Sequence, residues 1–383
     1  MRRMYGALVL AVMASAACGG GETPPPKVPE TTAVTTPPPP PPAPTATVEA
    51  PPPPAKAPLA DLIRKNEGDF IKALMAHDAK AVGATYADNA VSTMYGAPAS
   101  VSGKDAITST WQKQFDAFPD MKGGASRIFH TKDVVITEWA VNATHKGEFF
   151  GIKGTDKPIG FSGVTVTWFN DEGMRKEEHV YWDVGTVMSQ IGVSKMKARP
   201  IPALPTKPEM FTVQNTDAEK KNLEVGKAAY AAMEGKGDLK AFLATMDEKV
   251  DWDDMTQPAT MKGRGEAEKW FTAMHKGFSD GKMATKNAWA FGDYIVVESE
   301  FTGTHTGEFM GAKPTKKAIN FHGLDIVQAK DGKAVHGWWY ANGAEAAMQL
   351  GLMKPPGDAK AADPKAAPKA DAPKAAPKAA PKK

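Results

Sequence analysis

The apolar positions change period along the chain, and each stretch of constant period predicts an element. Leu59, Leu62, Ile63, Phe70, Leu74 and Met75 recur at helical spacing and mark one face of a helix. Asp78 stands where a second helix needs an acceptor for its free N–H groups, and Val82 and Tyr86 continue that helix. Gly103-Lys104-Asp105 opens a third helix, which carries Ile107, Trp111 and Phe115 and closes at Phe118-Pro119-Asp120. From there the helical period gives way to alternation. Arg127–His130, Val134–Val141, Thr144–Phe150, Phe161–Phe169 and Lys176–Asp183 read as five strands, with Asn170-Asp171-Glu172-Gly173 as the last hairpin turn. A short helix from Gly185 to Ile191 ends the unit. Helices first and an antiparallel meander afterwards predict the α+β class. The helices pack on one face of a curved antiparallel sheet and leave a conical cavity between.

This programme is written twice. Thr144-His145-Lys146-Gly147-Glu148-Phe149-Phe150-Gly151 returns 160 residues later as Thr304-His305-Thr306-Gly307-Glu308-Phe309-Met310-Gly311, with six of eight residues unchanged. The same spacing aligns Asp78 with Asp238, Gly103 with Gly263, Glu138 with Glu298 and Phe161 with Phe321. After a one-residue slip near Asp171, Tyr181 falls on Tyr340, Gln190 on Gln349 and Gly192 on Gly351. A period this long is one domain, not a solenoid unit. The predicted organisation is a first domain over 59–195, a proline-bearing linker over 196–217 and a second domain over 218–353.

Composition changes the picture at the two ends. Residues 18–58 hold 16 of the 32 prolines and read as an extended tether that cannot bury enough apolar surface to fold. Residues 354–383 repeat Ala, Pro and Lys and read as a basic disordered tail. Its lysines suit an anionic envelope polymer or lipid headgroup. It has no aromatics to interleave with them, and the net charge is only +3, so nucleic acid is not an expected partner. The lone cysteine, Cys18, excludes an intrachain disulfide. Arg2 and Arg3, a short apolar run over 6–14, and Ser15-Ala16-Ala17 precede it. Residues 1–17 thus resemble a bacterial lipoprotein signal, cut before a cysteine that becomes lipid-modified. Ser15 departs from the aliphatic residue usual there. An ordinary secretory signal cut after Ala17 fits the same stretch. Either reading places the chain beyond the cytoplasmic membrane, and the first anchors it in the cell envelope. No phosphate loop, dinucleotide fingerprint or nucleophile elbow occurs, and no cofactor is called for.

The order His-x-Gly-x-Phe-x-Gly, an aromatic strand, a Gly turn, and a strand ending at Asp183 before Gln190-Ile191-Gly192 resembles the SnoaL-like polyketide cyclases. Phe118-Pro119-Asp120 ahead of the sheet resembles them too. The resemblance spans each repeat and implies the nuclear-transport-factor-two-like cone fold, and it implies that the two copies pair through their sheets. In the enzymes of that family a carboxylate near the end of the last strand removes an acidic C–H proton; this implies Asp183 as base, with His145 or Tyr181 donating to the enolate. Alternation puts Glu177, His179, Tyr181 and Asp183 on one face, so His179 and Tyr181 join Asp183 in any cavity it faces. In the second copy Asp183 becomes Asn342 and His179 becomes Trp338. An amide cannot be a carboxylate base. Asp325 is a substitute there, although the first copy has Thr165 at that place.

Competing readings stay open. Asp183, like Asn342, also suits the N-cap of the following helix. His145 and His305 are pocket donors or strand histidines satisfied by neighbours. Trp139, Phe149, Trp338 and Tyr340 line a pocket for a flat apolar ligand or belong to the core. His305, His322 and His336 match no short metal motif, so no metal site is expected. The leading expectation is an envelope lipoprotein that binds a small, largely apolar molecule in the first cone. A cyclase or isomerase using Asp183, and a non-catalytic interaction module with filled cones, are the alternatives.

Overall fold

The computed structural model describes residues 57–97, 99–309 and 311–353. The expected signal, Cys18, the tether up to residue 56 and the Lys-rich tail lie outside the described residues. The first copy runs α1 (Leu59–Met75), α2 (Ala79–Gly83), β1 (Tyr86–Met94), β2 (Val101–Ser102), α3 (Lys104–Ala117), β3 (Lys122–His130), β4 (Val134–Thr144), β5 (Pro158–Phe169), β6 (Arg175–Trp182) and α4 (Val184–Gln190). After β7 (Glu209–Thr212), the second copy runs α5 (Asp217–Met233), α6 (Leu239–Ala244), β8 (Met246–Asp254), β9 (Met261–Lys262), α7 (Arg264–Gly277), β10 (Lys282–Phe291), β11 (Tyr294–Thr304), β12 (Ala318–Lys330), β13 (Lys333–Ala341) and α8 (Gly343–Leu350).

The same local devices start the same elements in both copies. The Asp78 carboxylate accepts from Ala81 N at 2.9 Å, and Asp238 accepts from Ala241 N at 2.9 Å. Gly103 and Gly263 precede α3 and α7 at φ 89° and 76°, where a side chain would be strained. A bulge interrupts β3 against β4 between Ala125 and Arg127, and β10 against β11 between Thr285 and Asn287. Each bulge bends its sheet.

Two predicted elements differ. Tyr86 does not continue α2. The helix stops when Thr85 turns its N–H and hydroxyl onto the Val82 carbonyl, and Tyr86 opens β1, which runs parallel to β6. The pattern hid this strand because Asp88, Asn89, Ser92 and Thr93 break its apolar alternation. Beyond Thr144, the segment expected as a third strand is a turn, with Phe149 bridging Ile152 and both Phe150 and Gly151 at positive φ. The linker also contributes to the fold. Its residues Glu209–Thr212 add a parallel strand beside β3.

The sheets therefore read β2-β1-β6-β5-β4-β3-β7 and β10-β11-β12-β13-β8-β9. One face of each carries its helices. In the first cone, Tyr86, Ile107, Phe115, Phe118, Phe149, Phe161 and Trp182 share a core. The opposite faces meet each other: Phe129, Ile136, Val164, Val166 and Tyr181 of the first sheet share a core with Phe291, Val296, Leu324, Ile326 and Tyr340 of the second. Leu324 and Ile326 are fully buried there. Burial of each such side chain contributes about 1.5–3 kcal/mol, so this seam binds the halves firmly. The described residues form one compact unit.

Candidate functional site

The end of β6 is where the sequence nominates a base. Asp183 is 5% exposed. One of its oxygens accepts from Gly185 N at 3.2 Å and Gly343 N at 3.1 Å; the other accepts from Thr186 N at 2.7 Å and Thr186 Oγ1 at 2.8 Å. A carboxylate offers about four lone-pair positions, and these donors take them all. Burial pushes the Asp183 carboxyl up, while the four donors pull it back. Asn342 is the matching cap of α8. Its oxygen accepts from Ala344 N at 3.2 Å and Val184 N at 3.4 Å, and its amide donates to Tyr95 O at 3.0 Å. Val184 and Gly343 are equivalent positions. Each cap closes its own helix and takes an N–H from the first turn of the other copy's helix. The residue expected as base has no lone pair left for a substrate proton.

The repeated motif is a latch. Thr144 donates its N–H and hydroxyl to Asp120, and Thr304 does the same to Asp280, at 2.7–2.8 Å. Gly147 and Gly307 lie so close to the C-terminal turns of α3 and α7 that a Cβ would overlap the Asp116 or Lys276 carbonyl oxygen. His145 and His305 are fully buried beneath this loop. Nδ1 of His305 accepts from Thr315 N at 3.2 Å, so its proton sits on Nε2; His145 Nδ1 lies 3.1 Å from Thr155 Oγ1. Burial holds both imidazoles below their ordinary pKa. Neither faces Asp183 as an enolate donor, and neither pairs with Glu148 or Glu308.

His179, Tyr181, Trp338 and Tyr340 are brought together at the seam between the sheets instead of in a cone. Two buried carboxylates organise them. Glu138 receives Arg127 Nε at 2.7 Å and Nη2 at 2.5 Å, together with Ser126 and the Tyr340 hydroxyl from the other copy. The Trp338 ring covers the Arg127 guanidinium at 3.7 Å. The equivalent Glu298 receives Asn287 Nδ2 at 2.7 Å from its own copy, and His179 Nδ1 and the Tyr181 hydroxyl, each at 2.9 Å, from the other. Burial and Glu298 push the Tyr181 hydroxyl well above its usual range, and burial and Glu138 do so for Tyr340. At one end of the seam the basic side chain facing the carboxylate is an arginine of its own copy. At the other it is a histidine of the opposite copy.

Trp139 and Phe149 do lie in the first cone, but as filling. The Trp139 indole N–H donates to Thr165 Oγ1 at 2.9 Å, Phe149 packs edge-on to Phe118 at 5.0 Å, and Trp182 stacks on Phe161 at 4.4 Å. The cavity beside Asp183, walled by Phe161, Thr186, Arg199 and Met255, has a volume of about 30 Å³. That suits a water molecule, not a ligand, since ligand pockets run to about 300 Å³ or more. The open conical cavity expected in the first domain is filled by side chains.

The second cone is built differently. Where the first has Phe70, Thr165 and Trp139, it has Tyr230, Asp325 and Ser299. The Tyr230 hydroxyl donates to the Asp325 carboxylate, and both side chains are buried. Burial pushes Asp325 up to about 7, with Asp254 adding to the rise, and burial pushes Asp254 to about 6. In this copy Trp252, Phe309, Phe321 and Trp339 are only half-buried, whereas Phe149 and Phe161 of the first cone are buried. Tyr230 shares its core with Met233, Met283 and Trp270, and these border a cavity of about 10 Å³ with Met274 and Phe278. Methionines adapt their shape at low cost. Asp325, expected as a substitute carboxylate despite Thr165 at its counterpart position, thus lies buried in the second cone with a tyrosine as its partner. The paired exchange of Phe70 to Tyr230 with Thr165 to Asp325 was the signal that connects the two.

The family model for SnoaL-like polyketide cyclase matches residues 69–191 and 225–350. No curated protein matches the chain. Among solved structures, a protein assigned as a SnoaL-like polyketide cyclase from Jannaschia sp. CCS1 is 17% identical over 37% of this chain and 99% of its own, with a TM-score of 0.35. IdmH of Streptomyces antibioticus, assigned as a polyketide cyclase, is 20% identical over 34% of this chain and 98% of its own, with a TM-score of 0.31. An LEH-like epoxide hydrolase of M. tuberculosis is 10% identical over 35% of this chain and 92% of its own, with a TM-score of 0.30.

Proposed function

The chain belongs to the SnoaL-like polyketide cyclase family, and from that premise we propose that it binds a small, largely apolar molecule bearing an oxygen acceptor, in its second cone. The observation that carries this is the Tyr230–Asp325 pair, a polar end on an aromatic and methionine-lined interior. A carboxyl whose pKa lies near 7 is protonated in part at neutral pH, so it and the tyrosine hydroxyl can both donate to a carbonyl or hydroxyl oxygen. The ligand makes its own room by displacing the methionines. The first cone, filled, serves as the scaffold against which the second is held.

Proton transfer is the second reading, favoured by one observation. Asp325 at about 7 and Asp254 at about 6 lie in one cone with carboxyls poised near neutrality, as acid–base work requires. In this reading a C–H beside the ligand's carbonyl gives its proton to a carboxylate while Tyr230 stabilises the enolate. The amino-terminal pattern supports a further proposal, that lipid on Cys18 holds the pair at a cell envelope. Metabolic labelling with an alkyne fatty acid, lost on Cys18→Ser, tests that.

The binding proposal is tested by native mass spectrometry of the purified chain and by titration with an apolar fluorescent probe. Ser299→Trp copies Trp139 into the second cone and is expected to abolish probe binding, and Asp325→Asn to weaken it up to about tenfold, the worth of one neutral hydrogen bond. Probe binding that survives Ser299→Trp unchanged would place the ligand elsewhere.

A further inference from the structure

We infer that the seam between the two copies is a one-sided pH-sensitive clasp: loss of a proton from His179 loosens the Glu298 end while the Glu138 end stays shut. The inference rests on how the two ends neutralise equivalent carboxylates. At the Glu138 end the counter-charge is Arg127, in a two-pronged contact and covered by Trp338. A guanidinium does not lose its proton in the accessible pH range. At the Glu298 end the position of Arg127 is taken by Asn287, which carries no charge, and the position of Trp338 by His179. Glu298 is 1% exposed, and of its partners Asn287, Tyr181 and His179 only the imidazole can carry a positive charge.

The surroundings of His179 favour its charged form. Nδ1 faces Glu298 at 2.9 Å, and Nε2 faces Glu177 on its own strand at 3.3 Å. A neutral ring keeps a proton on one nitrogen only and turns a lone pair toward one of these carboxylates. The other groups around it come from several elements. Tyr95, after β1, meets the ring edge-on at 5.5 Å and Trp168 of β5 does so at 4.7 Å. Behind Tyr95 stands His322, stacked on it at 4.2 Å and paired with Glu345 of α8. On the adjoining strands Lys286 is already paired with Glu300. Tyr181 donates to the same Glu298 oxygen. Burial opposes the imidazolium, but Glu298 and Glu177 outweigh it and the net direction is upward. A histidine raised on folding contributes stability in full below its unfolded pKa, and that contribution is lost as pH rises through the folded value. The clasp is therefore closed in mild acid and loosens toward alkaline pH. Each unit by which folding raises the pKa is worth about tenfold in the unfolding constant.

The test uses the full chain. NMR titration of the His179 Cε1–H, assigned with His179→Gln, is run beside hydrogen exchange from pH 6 to 9. The expected result is a midpoint above about 6.5, the free imidazole value. Exchange at the Tyr181 and Val297 amides should quicken through the same midpoint, beyond the intrinsic base-catalysed rise, while Ile136 amides near the Glu138 end do not. Copying one end onto the other with Asn287→Arg and His179→Trp should remove the step. A midpoint at or below 6.5, or no pH step at Tyr181 and Val297, overturns the inference. So does a folded double variant that keeps the step. If the double variant does not fold, the wild-type titration and exchange decide alone.

Discussion

Asp183→Ala removes an acceptor that two helices share, and its cost can be worked from the four donors. Losing the cap of α4 costs about 1 kcal/mol. The Gly343 N–H, 3.1 Å away in the other copy and half-buried, is left without that acceptor, at about 1–3 kcal/mol. The expected loss is therefore about 2–4 kcal/mol. Asp183→Asn is milder. Whichever way the amide turns, its nitrogen faces two of the donors, but the Thr186 hydroxyl can rotate away and a buried charge is removed; about 1–2 kcal/mol is expected. Urea unfolding followed by tryptophan fluorescence reads both. Hydrogen exchange gives the more specific signature, because Asp183→Ala should speed exchange at the Gly343 amide, 160 residues along the chain. If Asp183 were instead a base held free for substrate, the near-isosteric Asn variant would keep full stability and lose turnover. Two variants within about 0.5 kcal/mol of wild type, the range of a neutral surface change, with Gly343 exchange unaltered, would refute the shared-cap reasoning.

Two further outcomes are expected. Gly307→Ala drives a methyl into the Lys276 carbonyl, while Thr306 and Gly307 are both tied to the Gly277 carbonyl, so the loop cannot step back; a loss of about 1–3 kcal/mol should appear in denaturant melts. Asp325, raised to about 7 by burial, binds its proton more tightly folded than unfolded, so its contribution is full below about 4 and is lost as pH rises to 7. Asp325→Asn should thus flatten the decline in melting temperature between pH 5 and 8, and an unchanged slope would count against a buried carboxyl at that position.

The repeat and the class of fold were legible because each rests on local period and on residues whose conformation is their own, such as Gly103, Gly263, Asp78 and Asp238. The strand beginning at Tyr86 was not, since its partner β6 lies far along the chain and polar side chains interrupt its alternation. Parity correctly placed His179 with Tyr181, but it cannot say what a sheet face meets, and here that face meets another sheet. For Asp183 the sequence showed two suitable roles. The deciding donor, Gly343, sits in the other copy, beyond the reach of any local rule. Tyr230 escaped because an aromatic on a helix face reads as core until the acid opposite it is known.

The seam's unequal ends carry a consequence for how such a molecule can change. Two separate identical chains meeting across an axis must show the same residue at both ends, so any substitution is made twice and must suit both. A fused tandem escapes that rule. Here one end holds Arg127 beneath Trp338 and the other Asn287 beside His179, an arrangement closed to a symmetric assembly. Covalent joining has turned one contact into two independently adjustable ones, and the second cone could gain its buried acid without the first having to accept one.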